Sequence, residues 1–168
     1  ARAGAVGALT LSCVVAVPQA MEASGATAGG LGALVVGTAA PDRLLPAPAV
    51  EVQAELGATR AVAFDVDAAC SGWLFGMQVA EGLMATGNYE TILVIGAELL
   101  RRIIKWKDRN TCVLFGDGDD AIVMSKSTRM RGILSAYMPS DGTLAALLQR
   151  GQRGPGEPRA GAIKEGVS

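Results

Sequence analysis

Apolar residues run along this chain in two rhythms, short continuous stretches and longer ones with a helical repeat. GALVVGTA (32–39) predicts a buried strand, ended by PDRLLPAPA, where three prolines forbid regular structure. AVEVQAELGA (49–58) places Val50, Ala54 and Leu56 or Gly57 at near-helical spacing, with Gly57 as a C-cap. AVAFDV (61–66) is strand-like. Residues 71–86 follow with Trp73, Met77, Ala80, Leu83 and Met84 on one stripe and Gly87 just beyond. A helix of that length covers about 24 Å, enough to cross a domain core. TILVIGAE (91–98) is the strongest strand, of the kind found in sheets covered on both faces. TCVLF (111–115), AIVMS (121–125) and GILSAYM (132–138) predict further strands between Gly-rich turns. Strands at 61 and 91 around a long helix make a βαβ unit, which implies parallel pairing and a right-handed crossover. The class expected is α/β, in layers.

The ends differ from this middle. Residues 1–30 are Ala/Gly-rich with a weak helical stripe of Leu11, Val14, Val15 and Met21. Residues 149–168 hold five glycines, two prolines and little to bury, a composition that favours a disordered tail. No internal repeat is evident.

At 168 residues the chain is long enough for one domain with a sizeable core. Half of it is hydrophobic but only 4% is aromatic, so the core must be built from Ala, Val, Leu and Ile. A net charge of −1 leaves no basic excess to neutralise a phosphate backbone, which sets nucleic acid aside as a partner. The apolar stretches are strand-sized, short of the roughly 18 to 20 residues that span a bilayer, so no membrane is expected. Cys13, Cys70 and Cys112 form no CxxC pair and leave an odd thiol. With no secretory signal or N-x-Ser/Thr site visible, a reducing cytoplasm is the expected compartment. The chain has no histidine, and its only asparagines are Asn88 and Asn110.

Several motif matches fail. GLGALVVG (30–37) offers GxG, but its third glycine comes too late and a strand follows where a helix belongs. DGDD (117–120) resembles the start of a calcium loop, yet the sixth and twelfth positions are Ile122 and Thr128, where Gly and Glu are needed. Without histidine and with scattered cysteines, no metal site is expected. Cys70, in DAACSGW (67–73), stands where a strand becomes a helix. There the unpaired N–H groups and the positive end of the helix dipole favour an anionic sulfur. Small neighbours, Ala68, Ala69, Ser71 and Gly72, let a carbonyl approach, and the Cys70 N–H could help hold its oxyanion. The alternative is a buried inert thiol. Cys112, inside an apolar run, and Cys13, on a helical stripe, read as packing residues.

The stretch DVDAACSGWLFGMQVAEGLMATGNYETILVIGAELLRRIIKWKDRNTCVLFGDGDDAIVMS closely resembles the β-ketoacyl-acyl carrier protein synthase III family of thiolase-like condensing enzymes. It carries an Ala-Cys-Ser-Gly turn, a V-x-G-x-E strand end, a D-R-x-T segment and an L-F-G-D-G turn in the family's order and spacing. GTAAPDRLLPAPAVEVQAELGA resembles a further family stretch, and the likeness runs from about residue 33 to 142. It implies one N-terminal half of a thiolase-like layered fold over residues 1–142, a mostly parallel mixed sheet flanked by helices. Residues 143–168 would then form a divergent, flexible C-terminal tail.

The resemblance also implies a chemistry. Cys70 matches the residue that takes an acyl group from acyl-CoA as a thioester, which then condenses with malonyl-acyl carrier protein as carbon dioxide leaves. Acyl-CoA is a substrate, and no resident cofactor is expected. Arg109 matches a basic residue at the coenzyme A entrance, where its fork could engage phosphate or stack on adenine. Trp106 lies beside it, as a substrate contact or a plain surface aromatic. Leu45 aligns with a residue that reaches toward the partner's acyl pocket in the family's dimers, or is simply an anchor in a Pro-rich loop.

Two departures stand out. Asp119 and Asp120 replace the family's small residues after G-D-G, where burial would be costly unless the carboxylates are paired or wet. The family's His and Asn come from a second, duplicated half and have no counterpart here, so decarboxylative condensation is expected to fail in this chain alone. The alternatives are a non-catalytic partner in a heterodimer, a polyketide starter-unit synthase, or a hydroxymethylglutaryl-CoA synthase-like enzyme. A homodimer or heterodimer through the thiolase-like interface is the expected assembly.

Overall fold

The computed structural model describes residues 7–128, 132–149 and 164–165. In chain order its main elements are α1 (Ala8–Ser24), β1 (Ala33–Gly37), α2 (Pro48–Leu56), β2 (Val62–Val66), α3 (Gly72–Ala85), β3 (Thr91–Leu99), the single turn α4 (Arg109–Cys112) and β4 (Asp117–Ser125). They belong to two compact units. One holds the described residues up to Glu98 and those from Gly118 to Leu134; the other holds Leu99–Asp117 and the described residues from Ser135 on.

The first unit is built on a sheet of order β2-β1-β3-β4. β1 pairs in parallel with β2 and with β3, and every residue of β1 is buried. That is why GALVVGTA and TILVIGAE read as unbroken apolar runs, since a strand covered on both faces has no polar side. The βαβ reading of β2, α3 and β3 holds in direction and needs one correction. β1 lies between the two strands, so they are parallel without pairing, a placement that local periodicity does not encode. β4 neighbours β3, and just past its end the Lys126 N–H donates to the Glu90 carbonyl just before β3 begins, as antiparallel strands do.

Side-chain alternation assigns the two faces. Ala33, Val35, Ile92 and Val94 form a buried cluster with Ala80 of α3, and Phe64, Val66, Trp73, Met77, Leu83, Met84, Ile122 and Met124 pack against it. The expected stripe of α3 is therefore the observed one. On β2 the intervening Asp65 faces the other way and accepts the Ala49 N–H at 2.9 Å, capping the N-terminus of α2. Asp42 does the same for α1, accepting from Leu9 at 2.8 Å and Thr10 at 3.1 Å. Neither helix carries a side-chain cap of its own, so both are capped from a distance. Thr10 donates to Glu51 at 2.8 Å and Ser12 to Asp119 at 2.6 Å, tying α1 to α2 and to β4.

Burial raises the Asp65 pKa above its ordinary value, against a smaller opposing pull from the Ala49 N–H. A carboxyl whose pKa is higher folded than unfolded adds stability at low pH that is lost as pH rises through the folded value. Asp65→Asn keeps an oxygen for Ala49 and removes the buried charge. Urea midpoints of variant and wild type are expected to coincide below pH 3 and to separate in the variant's favour by about pH 7.

Several local expectations change. On α1 the buried face is Leu9, Thr10, Cys13 and Val17, whereas Leu11 and Val15 of the expected stripe are exposed. Alanine and glycine blur the apolar contrast of this helix, and Pro18 lies within it. TCVLF is not a strand. Asp108 accepts the Asn110 N–H at 3.2 Å and its carbonyl takes the Cys112 N–H at 2.9 Å, so a capped helical turn claims the backbone first. Cys112 thus ends a turn and is only partly buried. GILSAYM takes no regular form, and Leu134 and Tyr137 in it are exposed. The turn expected at Asp117–Asp120 is the exposed start of β4, which relieves the two carboxylates of burial. Of the expected tail, Leu148–Gln149 (β5) pairs antiparallel with Lys164–Glu165 (β6), while residues 150–163 and 166–168 lie outside the described residues.

Candidate active site

The parallel register sets a row of residues across the top of the sheet, Val66 on β2, Gly37 on β1 and Gly96 on β3. Two adjacent glycines leave a hollow, and the first turn of α3 descends into it. A Cβ on Gly37 would lie 2.5 Å from the Gly72 carbonyl carbon and 2.7 Å from the Trp73 nitrogen, both backbone. A Cβ on Gly96 would lie 3.0 Å from the Trp73 Cβ. The helix start is thus seated on the sheet by backbone contact, which no side chain could give.

Directly before that seat, one turn of 3₁₀ helix (Ala69–Ser71) carries Cys70. The Ser71 N–H donates to the Ala68 carbonyl at 3.0 Å, and the Ala69 N–H reaches the Asp67 carboxylate at 3.4 Å. Ala69 has φ +47°, a left-handed conformation that costs a non-glycine residue of order 1 kcal/mol and persists only where the surroundings enforce it. Here the short link between β2 and the seated helix enforces it. The outcome is a free thiol that is exposed, next to small neighbours, at the C-terminal end of the three parallel strands. Open α/β sheets present ligand sites at that end. The alternative of a buried Cys70 does not hold.

The other thiol of this unit has the opposite character. Cys13 is fully buried, and burial pushes its pKa up to about 12, with the charges of Asp119, Asp65 and Asp42 adding to the rise. Brief iodoacetamide treatment of the native chain is expected to alkylate Cys70 and spare Cys13, with Cys13 reacting only in denaturant. Peptide mass mapping reads both, and equal labelling would contradict the burial of Cys13.

Leu45 lies in the loop between β1 and α2, which leaves the same end of the sheet as the Cys70 turn. The tip is bare, with Leu44 86% and Leu45 82% exposed, and the Leu45–Pro46 peptide is cis. Its base is fastened. Glu98, the last residue of the V-x-G-x-E stretch, accepts the Ala39 N–H at 2.6 Å, and the Thr38 hydroxyl accepts the Ala40 N–H at 3.1 Å. Sequence reasoning did not assign Glu98 this role; its signal was a carboxylate ending an otherwise apolar strand. Likewise Gly37, Gly72 and Gly96 were legible only as glycines at element ends.

Trp106 and Arg109 belong to the second unit. The Trp106 indole donates to the Arg101 carbonyl at 3.3 Å, and Arg109 opens the α4 turn with its side chain exposed. Asp117 holds Arg101 twice, accepting its backbone N–H at 3.0 Å and pairing with its guanidinium at 2.9 Å. Among the described residues no three His, Cys, Asp or Glu side chains gather as a metal site, and no helix is long and apolar enough to cross a membrane.

Comparison with known proteins gives one family. Residues 64–154 match the family described as 3-oxoacyl-[acyl-carrier-protein (ACP)] synthase III. A β-ketoacyl-[acyl-carrier-protein] synthase III of Xanthomonas campestris pv. campestris is 48% identical over 130 residues, 77% of this chain and 40% of the relative. The crystal structure of 3-oxoacyl-[acyl-carrier-protein] synthase III from Aquifex aeolicus VF5 superposes with a TM-score of 0.81 at 35% identity, covering 88% of this chain and 48% of that one. The corresponding enzyme of Pseudomonas aeruginosa PAO1 gives 0.87 at 27% identity, over 95% and 50%. The fold is accordingly the thiolase-like layered one expected, and the chain spans about two fifths of the length of the curated relative.

Proposed function

The chain belongs to the 3-oxoacyl-[acyl-carrier-protein] synthase III family, and from that premise we propose that it carries the acylation half of the reaction. The Cys70 thiolate attacks the carbonyl of an acyl-CoA, the tetrahedral intermediate collapses, and coenzyme A leaves as its thiol, taking up a proton. The acyl group stays on Cys70 as a thioester. In the complete reaction malonyl-acyl carrier protein then loses carbon dioxide, its carbanion attacks that thioester, and a β-ketoacyl product departs as the Cys70 sulfur is released. The observation that carries this reading is the exposed Cys70 on a strained turn, seated by the Gly37–Gly72 contact.

Other residues take roles consistent with it. Arg109 contributes a planar cation for a coenzyme A phosphate, and the Trp106 face offers a stacking surface. Leu45, exposed on a loop fastened at its base, serves the acyl pocket of a second subunit. Condensation needs His and Asn stabilisers that come from the family's second half; this sequence contains no histidine. The outer face of α3 fits a covering half, since Leu74 and Val79 there are 48% and 36% exposed.

The test is incubation with labelled acetyl-CoA followed by mapping of the Cys70 peptide, beside Cys70→Ser. Label retained as a hydroxylamine-sensitive thioester on Cys70, and absent from the variant, is the expected result. A chain that takes no label, alone or with the complementary half, is not an acylating enzyme.

A further inference from the structure

β1 ends at Gly37, but the ladder it belongs to is carried one step further on each side. The Thr38 N–H donates to the Val66 carbonyl at 3.2 Å, on the β2 side. Successive residues of a parallel strand bond to opposite neighbours, so the Ala39 N–H turns towards β3. There it meets a side chain in place of a backbone carbonyl. Glu98, two residues past Gly96 and on the same face of β3, accepts that N–H at 2.6 Å. A carboxylate makes a shorter and stronger bond to an N–H than a neutral carbonyl does. The Ala40 N–H then goes to the hydroxyl of buried Thr38 at 3.1 Å. Residues 38–40 form a strip with every N–H held.

Two segments leave the sheet from this strip. Val66 leads into the Cys70 turn and Ala40 into the loop that carries Leu45, and the Thr38–Val66 bond keeps their starts side by side. Glu98 fastens the strip to β3, the strand whose Gly96 seats α3. The carboxylate thus links the fixed centre of the sheet to the segment flanking the Cys70 turn. We infer that Glu98 is a positioning residue for the acylation of Cys70, bracing the wall along which the acyl-CoA carbonyl approaches the sulfur. It acts through the Ala39 N–H, moves no proton and touches no substrate. The inference rests on the synthase reading and adds to it a residue outside the Cys70 turn. Acyl transfer depends on how the thioester is aligned, so slight loosening of that wall slows it. A small alkylating reagent needs only an exposed thiol, and the brace is irrelevant to it.

The test compares two reactions of Cys70 in the full chain, acylation by labelled acetyl-CoA and alkylation by iodoacetamide. Glu98→Ala is expected to lower the maximal acylation rate about tenfold and to change the half-saturating acetyl-CoA concentration less than about twofold. Its alkylation rate is expected to stay within about twofold of wild type. Glu98→Gln keeps an oxygen for the Ala39 N–H and is expected to recover most of the acylation rate. Thr38→Val removes the acceptor of the Ala40 N–H and is expected to slow acylation in the same direction. Wild-type acylation by Glu98→Ala overturns the inference, and so does a loss that alkylation shares in equal proportion. A folded Glu98→Gln chain as slow as Glu98→Ala also overturns it, since the carboxylate would then act by its charge or proton. If Glu98→Ala does not fold, Thr38→Val decides, and acylation at the wild-type rate there counts against the brace. A wild-type chain that takes no label at Cys70 removes the synthase reading and this inference with it, whereas the variant-to-wild-type ratio tests Glu98 alone.

Discussion

Gly37→Ala is expected to destabilise the chain by about 3 kcal/mol, a large share of the roughly 5–15 kcal/mol that holds a domain together. The added methyl would sit 2.5 Å from the Gly72 carbonyl carbon and 2.7 Å from its oxygen, a collision with backbone that no rotamer change relieves. Relief requires the first turn of α3 to lift from the sheet. That movement would shift the adjoining Cys70 turn, so Cys70 alkylation and acylation are expected to change along with stability. Gly82→Ala is the matched control. Gly82 lies on the exposed side of α3 with nothing within 4 Å of its would-be Cβ, and alanine there is expected to add about 0.5–1 kcal/mol. Urea unfolding of the two variants decides the matter. If both shift the midpoint alike, the Gly37–Gly72 contact does not seat the helix.

On the proposed reading, the chain acylated at Cys70 and supplied with malonyl-acyl carrier protein forms β-ketoacyl product at least about 10²–10³ times more slowly than a complete synthase. Acyl transfer to Cys70 needs a nucleophile that is intrinsically good and an open approach, and the exposed turn offers both. Decarboxylation makes a carbanion, and without positioned donors its charge is stabilised by water alone. Mixing the acylated chain with a separately purified second half carrying the His and Asn is expected to restore product, followed by chromatography of the carrier protein. Condensation by this chain alone at the rate of a complete synthase would refute the limit placed on it.

The fold was legible where side-chain pattern and burial coincide. β1 and β3 read as strands because both of their faces are covered, and the stripe from Trp73 to Met84 names the face of α3 that meets the sheet. Gly57, in the left-handed conformation, ends α2 as its position after the apolar repeat suggests. The turn at Arg109–Cys112 and the irregular stretch at 133–140 were not legible, because a short apolar run becomes a strand only where a neighbouring strand takes its N–H groups. On α1 a run of alanines and valines offers too little contrast to say which stripe is inside.

Cys70 divides the same way. Its place between a strand and a helix follows from local periodicity. The register that sets Gly37 beside Gly96, the descent of α3 into their hollow and the φ of +47° at Ala69 belong to the tertiary structure. So do the carboxylates of Asp42 and Asp65 capping helices far from them in the chain. Each depends on backbones meeting across long sequence separations, where the energy is steric and electrostatic and a one-dimensional pattern carries no distance.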